Sequence, residues 1–164
     1  MPSSDRIECS AAAESNLSFV EEILPTARKR LVTIAEDAPL IEAAKLLREP
    51  HTDFLVVCGC DAPLAGVITK TDLVRAISQC QGSGCMAAAS TVMTRTVILC
   101  HPSAFLHDIW SIMKERGLKN IPVVDPGSRP IGVLNARDAL EALLQEAEYE
   151  EGLLRDYVMC VGYR

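Results

Sequence analysis

Residues 66–72 read Gly-Val-Ile-Thr-Lys-Thr-Asp, and 66 positions on, residues 132–138 read Gly-Val-Leu-Asn-Ala-Arg-Asp. The same offset, with no gap, sets Leu40, Ala43, Ala44 and Leu47 on Leu106, Ile109, Trp110 and Met113. It also sets Leu55 and Val57 on Ile121 and Val123, and Val74 and Ile77 on Leu140 and Leu143. A fixed-period self-match redefines the unit that folds, and two copies are too few for a solenoid. The 164 residues must therefore build two similar halves that are large enough to share a core.

Each half reads in the order β-α-β-β-α, an α+β fold class. A β-branched run opens it, at 31–34 and at 97–99. A helix follows with apolar residues at i, i+3, i+4 and i+7, which makes one buried stripe. Asp37 and Ser103 are its candidate N-caps, and Pro39 suits a first turn. Two short strands come next, at 54–58 with 64–68 and at 120–125 with 131–134. Their turns hold Gly59, Asp61 and Pro63 or Pro126-Gly127-Ser128. Helices over 70–79 and 136–147 close the halves. Gln81-Gly82-Ser83-Gly84 reads as a linker, and residues 87–93 as a short helical lead. The chain thus divides into an N-terminal segment 1–24, a first repeat 25–80, a linker 81–90, a second repeat 91–147 and a helical extension 148–164. The N-terminal segment carries an amphipathic turn (Leu17, Val20, Ile23, Leu24), and the extension carries Leu153, Leu154, Tyr157 and Val158.

A formal charge of −6 and a pI near 5.1 argue against nucleic acid as a partner, which would require a concentrated basic surface. No apolar run approaches the roughly 20 residues that span a bilayer. Residues 1–20 lack the apolar core of a secretory leader, so the expected address is the cytoplasm. Seven cysteines, odd in number and irregular in spacing, do not form a disulfide framework. Cys58-Gly-Cys60 reads either as a redox pair or half a metal site, or as a strand cysteine followed by a turn cysteine. Zinc needs four ligands at recurring spacing, and His51, His101 and His107 form none with the thiols. Cys100 matches Ile34 and reads as an apolar strand position. No catalytic constellation, Walker motif or metal-binding His-Glu series is present, so no enzyme is expected and no metal or cofactor. Trp110 and Met113 lie on a helix stripe and read as core. The run Glu146, Glu148, Glu150 and Glu151 reads as the wet face of a helix.

Thr69 and Asp72 stand three apart where a strand passes into a helix, as do Asn135 and Asp138. One reading is structural: the first residue caps the helix and the acid returns a bond to the cap backbone. The other is functional and uses the same geometry. Helix-start N–H groups attract anions. An acid one turn later can accept hydrogen bonds from a ribose diol, and the glycine just before allows close approach.

The duplicated β-α-β-β-α order, each copy ending Gly-x-x-[Thr or Asn]-x-x-Asp, resembles a tandem pair of CBS domains, the modules named after cystathionine β-synthase. Val92-Met93-Thr94-Arg95-Thr96-Val97 and Ile121-Pro122-Val123-Val124-Asp125 are similar to signatures of that family, and the match spans roughly residues 25–145. The resemblance implies two repeats with pseudo-two-fold symmetry, a Bateman module whose sheets pack face to face and leave two clefts. It further implies a regulatory ligand containing adenosine (AMP, ADP, ATP, S-adenosylmethionine or NAD(H)), a homodimer formed through the helices, and an unidentified protein target.

Carried over residue by residue, the resemblance implies a first site with Asp72 on the ribose, Thr69 on phosphate and Val67 near the base. Met93, Val97, Ile98 and Leu118 would wall the adenine, and Lys119 would reach the phosphates. A second site would use Asp138 on the ribose, Asn135 where a hydroxyl is usual, and Val133 beside the base. Ala27, Leu31, Val32 and Thr52 would complete it. Asp53 matches Lys119 there, and its carboxylate would repel a phosphate by about 1 kcal/mol. Arg28, Lys29 and Arg30 either compensate that charge or form a solvated basic stretch. His51 and Val56 stand where the second copy has Gly117 and Pro122. Two further functional classes stay open: a dimerisation scaffold with closed clefts, and a thiol-based sensor using Cys58, Cys60 or Cys100.

Overall fold

The register of strand pairing repeats at the same spacing as the sequence. A computed structural model describes residues 18–59, 62–82 and 86–161. Strand β2 (Phe54–Cys58) runs antiparallel to β3 (Leu64–Thr69), with Phe54 opposite Thr69 and Val57 opposite Gly66. Strand β4 (Asn120–Val124) pairs β5 (Pro130–Asn135) with Asn120 opposite Asn135 and Val123 opposite Gly132. Both ladders shift register at the equivalent step, after Val57 and after Val123.

Strand β1 (Thr33–Ile34) lies parallel to β2 and makes the first sheet three-stranded. The strand expected at 97–99 does not form, and pairing shrinks to one bridge between Cys100 and Val123. The cause is a single residue. In the first half the Val56 N–H donates to the Val32 carbonyl at 2.9 Å. Pro122 holds the equivalent position and has no N–H to give to Ile98.

Helices α2 (Leu40–Leu47) and α4 (Leu106–Arg116) begin after Pro39 and Phe105, with no side-chain cap. Asp37 and Ser103, expected as caps, therefore lie outside the helices. Distant backbone does their work. The Leu40 N–H donates to the Ala87 carbonyl and the Leu106 N–H to the Ser18 carbonyl, each at 2.8 Å. Helix α4 runs further than α2 because Gly117 takes a left-handed exit, φ 64°. Pro50 blocks the matching turn after α2.

Those capping carbonyls belong to lead segments that cross over. A 3₁₀ turn (Val20–Ile23) and α1 (Leu24–Arg30) precede the first half in sequence. They nevertheless bury Val20 and Ala27 among Leu106, Ile109, Met113 and Ile121 of the second half. Reciprocally, the turn Ala89–Thr91 brings Ala89 and Met93 into the core formed by Leu40, Ala43, Leu55 and Ile68. The Phe19 and Phe105 rings stack at 5.0 Å along the first crossing. Two glycines admit the crossings. A Cβ on Gly66 would lie 2.7 Å from the Thr94 carbonyl oxygen, and one on Gly132 would lie 3.0 Å from the Ala27 Cβ. Val67 and Thr94 exchange two backbone hydrogen bonds at this approach, 3.0 and 2.9 Å. Between the sheets sits a third apolar cluster of Phe54, Val56, Val67 and Val133, with Leu31, Leu64 and Val97 against it.

Helix α3 (Lys70–Ser78) closes the first half and α5 (Ala136–Val161) the second. The extension is not a separate element: α5 continues through it, and Leu153, Leu154, Tyr157 and Val158 are all exposed. Among the described residues no helix is long and apolar enough to cross a membrane. Leu17 and residues 83–84 of the linker lie outside the described residues.

Gly66→Ala should lower stability by about 1–3 kcal/mol through overpacking against backbone. Gly132→Ala should cost less, since its contacts start at 3.0 Å. Gly152→Ala, in open space on α5, should cost nothing and add up to about 1 kcal/mol of helix propensity. Urea unfolding midpoints of the three variants check this order.

Candidate functional site

Strand β3 delivers Thr69 to the start of α3, where a reciprocal capping box forms. Thr69 Oγ1 accepts the Asp72 N–H at 3.3 Å, and Asp72 Oδ2 accepts the Thr69 N–H at 2.9 Å and its hydroxyl at 3.0 Å. The other carboxylate oxygen has only a 3.9 Å contact with Arg75. The side chain is 14% exposed, so the acid faces the protein rather than bulk water.

The second helix start is built differently. Asn135 Oδ1 accepts the Arg137 N–H, and its Nδ2 donates to Asn120 Oδ1, both at 2.9 Å. Asp138, expected to return a bond to the cap backbone, accepts two from Arg30 instead. The guanidinium Nε meets Oδ2, and Nη2 meets Oδ1 at 2.9 Å. This is a bidentate fork in which Arg30 is 35% and Asp138 14% exposed. It ties the last residue of α1 to the first turn of α5, across the junction of the halves. Asp138 in turn raises the guanidinium's proton affinity against the opposing effect of burial. Of the basic run 28–30, Arg28 and Lys29 are exposed as a solvated stretch would be, but Arg30 is not. Thr96 holds the position matching Arg30, so the cation near Asp72 is Arg75 of its own helix instead.

Arg30, His51, Thr52, Asp53, Phe54, Asn120, Val133 and Asn135 border a recess of about 20 Å³. That room suits a single water. Thr52, Val133 and Asn135 were expected together and do meet here. Ala27 lies against Gly132, Leu31 in the inter-sheet cluster and Val32 against the first core. Of the residues named for the first site, Val67 and Val97 also lie in the inter-sheet cluster, and Met93 in the first core. Ile98 and Leu118 pack on the second core, and Lys119 is exposed.

Asp53 is not the unscreened anion its position suggested. Lys70 Nζ stands 2.7 Å from its carboxylate. That hydrogen bond holds the carboxyl below its usual range, with the charges of Lys70, Lys119 and Arg30 adding to it against desolvation. The resemblance put Arg30 and Asp138 at one site, but nothing in the sequence paired them across 108 residues. Asn120 was legible in principle, because the ladder puts it opposite Asn135.

Cys58 is half-buried at the end of β2, and Cys60 lies outside the described residues. Cys100 is 2% exposed, and burial pushes its thiol up to about 12. It is therefore protonated at neutral pH and a poor nucleophile. Among the described residues no group of three or more His, Cys, Asp or Glu side chains could hold a metal ion.

The family model for the CBS domain matches residues 20–79 and 89–145. The fold resembles that of CBSX2 in complex with AMP, with a TM-score of 0.67, 25% identity, and 77% of this chain and 96% of that chain covered. The CBS domain pair of protein MJ0100, in complex with 5′-methylthioadenosine and S-adenosyl-L-methionine, gives a TM-score of 0.65 at 24% identity. Coverage there is 79% of this chain and 97% of that one. L-aspartate semialdehyde sulfurtransferase of Methanocaldococcus jannaschii is 26% identical over 125 residues, 76% of this chain. This chain spans 23% of that relative's length.

Iodoacetamide applied to the folded protein at neutral pH should leave Cys100 unmodified, as peptide mass spectrometry would reveal, and should label it on unfolding. The pH dependence follows in sign. The folded thiol keeps its proton to about 12 while an unfolded one releases it near 9.0, so this group subtracts stability as pH rises above 9.0.

Proposed function

Because the chain belongs to the CBS domain family, we propose that it is a regulatory module rather than an enzyme. In this reading it binds an adenosine-containing nucleotide where its halves meet and passes that occupancy to a partner protein in the cytoplasm. One observation carries the proposal: each half presents a helix start bearing a carboxylate in its first turn, both carboxylates lie largely out of water, and that of Asp138 meets Arg30 of the opposite lead. Asp72 or Asp138 would take the ribose hydroxyls. The helix-start N–H groups with Thr69 or Asn135 would take phosphate, and Lys119 would reach toward it. Val67 and Val133, with Met93, Val97 and Ile98 or Ala27, Leu31 and Val32 from the opposite lead, would flank the base. Leu118 and Thr52 would border the two sites. The AMP bound by CBSX2 and the adenosyl compounds bound by MJ0100 support this ligand class.

The means of signalling is a shift between arrangements of the halves or of a dimer. A ligand moves that balance only as far as its affinities for the two arrangements differ. In the homodimer that the family resemblance implies, a second copy would cover the apolar groove between α2 and α3, lined by Leu40, Ile41, Ala44, Leu73 and Ile77.

A second reading, a scaffold that binds no small molecule, is favoured by one feature. Both acids already have partners, and the recess at the second site admits only a water. The ultraviolet spectrum of freshly purified, denatured protein separates the two, since a retained nucleotide absorbs near 260 nm. Calorimetry with AMP, ATP, S-adenosylmethionine and NADH tests the first reading directly. At least one should bind at micromolar to millimolar concentration, raising the melting temperature, and Asp72→Ala should weaken it by about tenfold or more. No binding by any of the four would contradict the proposal.

A further inference from the structure

We propose that Arg30 makes the second site, at Asp138, selective for adenosine ligands that carry an anionic tail. The inference rests on the nucleotide reading above and adds which ligands that site accepts. Both oxygens of Asp138 are taken by Arg30, through Nε and Nη2. A ribose diol competes for those same two oxygens, so it takes Asp138 in bidentate fashion by displacing the guanidinium. Arg30 also walls the small neighbouring recess, so while it holds Asp138 little room is left beside the pair.

Displacement leaves a partly buried cation in search of a partner. Asp53, which lines the neighbouring recess, already has Lys70 on its Oδ1 at 2.7 Å. A neutral adenosyl ligand therefore strands the guanidinium, and an unpartnered charge of that kind is expensive. A phosphate supplies the missing anion in the fork geometry that guanidinium prefers. Arg30 and Asn135 border the same recess. A phosphate held at the start of α5 thus lies beside the freed side chain, and the broken ion pair is replaced rather than lost. The first site has Thr96 at the matching position and no such exchange. The two sites should therefore differ in selectivity although their acids are equivalent.

The probes are AMP and adenosine, titrated into the full chain by calorimetry in an Asp72→Ala background that weakens the first site. AMP should bind about tenfold or more tighter than adenosine, the worth of one charge-assisted contact. Arg30→Met should shrink that preference to about threefold or less, largely by strengthening adenosine, since the competitor for Asp138 is gone. Arg30→Lys keeps the charge without the fork and should give an intermediate ratio. It carries the test if circular dichroism finds the Met variant unfolded. An AMP-to-adenosine ratio unchanged in the folded variant overturns the proposal. So does a parent protein that binds AMP while the Asp72→Ala protein binds none. A parent that binds neither probe overturns this selectivity, and the nucleotide reading falls with it only if ATP, S-adenosylmethionine and NADH also fail to bind.

Discussion

The reciprocal crossing of the two lead segments holds this fold together. Each lead lies on the last strand of the opposite half, at Gly66 or Gly132, where any larger residue would meet backbone or a packed side chain. Burying Val20 or Met93 in the opposite core stabilises the pair by about 1.5–3 kcal/mol each. The same leads supply the carbonyls that cap α2 and α4. A half on its own would have an open core and unpartnered helix-start N–H groups. The halves are therefore completed by exchange rather than by simple contact. That exchange sets the first turn of α5 beside the end of α1, which comes from the opposite lead.

Departures from symmetry at the junction give it direction. Three pairs of equivalent positions differ in chemistry: Arg30 with Thr96, Asp53 with Lys119, and Thr69 with Asn135. At the first helix start the acid folds back on its own cap. At the second it reaches across to the other half. One duplicated geometry thus carries two electrostatic settings, a local one at Asp72 and a bridging one at Asp138. A bridging ion pair is also a mechanical link, so whatever breaks it loosens α1 from α5.

Much of this was legible in the sequence, because a repeat at constant offset constrains order, register and equivalent positions together. The strand pairs, the helix order and the capping geometry at Thr69 and Asp72 all follow from it. Where the reading failed, a distant segment overrode a local signal. Asp37 and Ser103 look like N-caps, yet the Ala87 and Ser18 carbonyls reach the helices instead. The run at 97–99 has strand composition, but Pro122 across from it cannot donate to the ladder. Arg30 reads as one of three cations that either offset Asp53 or stay solvated, until the chain brings Asp138 to it. In each case the deciding partner was too far along the chain for spacing to reveal it.

A crystal structure of the protein with millimolar AMP tests the central claim most directly. The account predicts nucleotide at the junction of the halves, its ribose hydroxyls within hydrogen-bond distance of the Asp72 or Asp138 carboxylate and its base against the opposite lead. AMP absent or bound elsewhere, with Thr69 still on Asp72 and Arg30 still on Asp138, would contradict it.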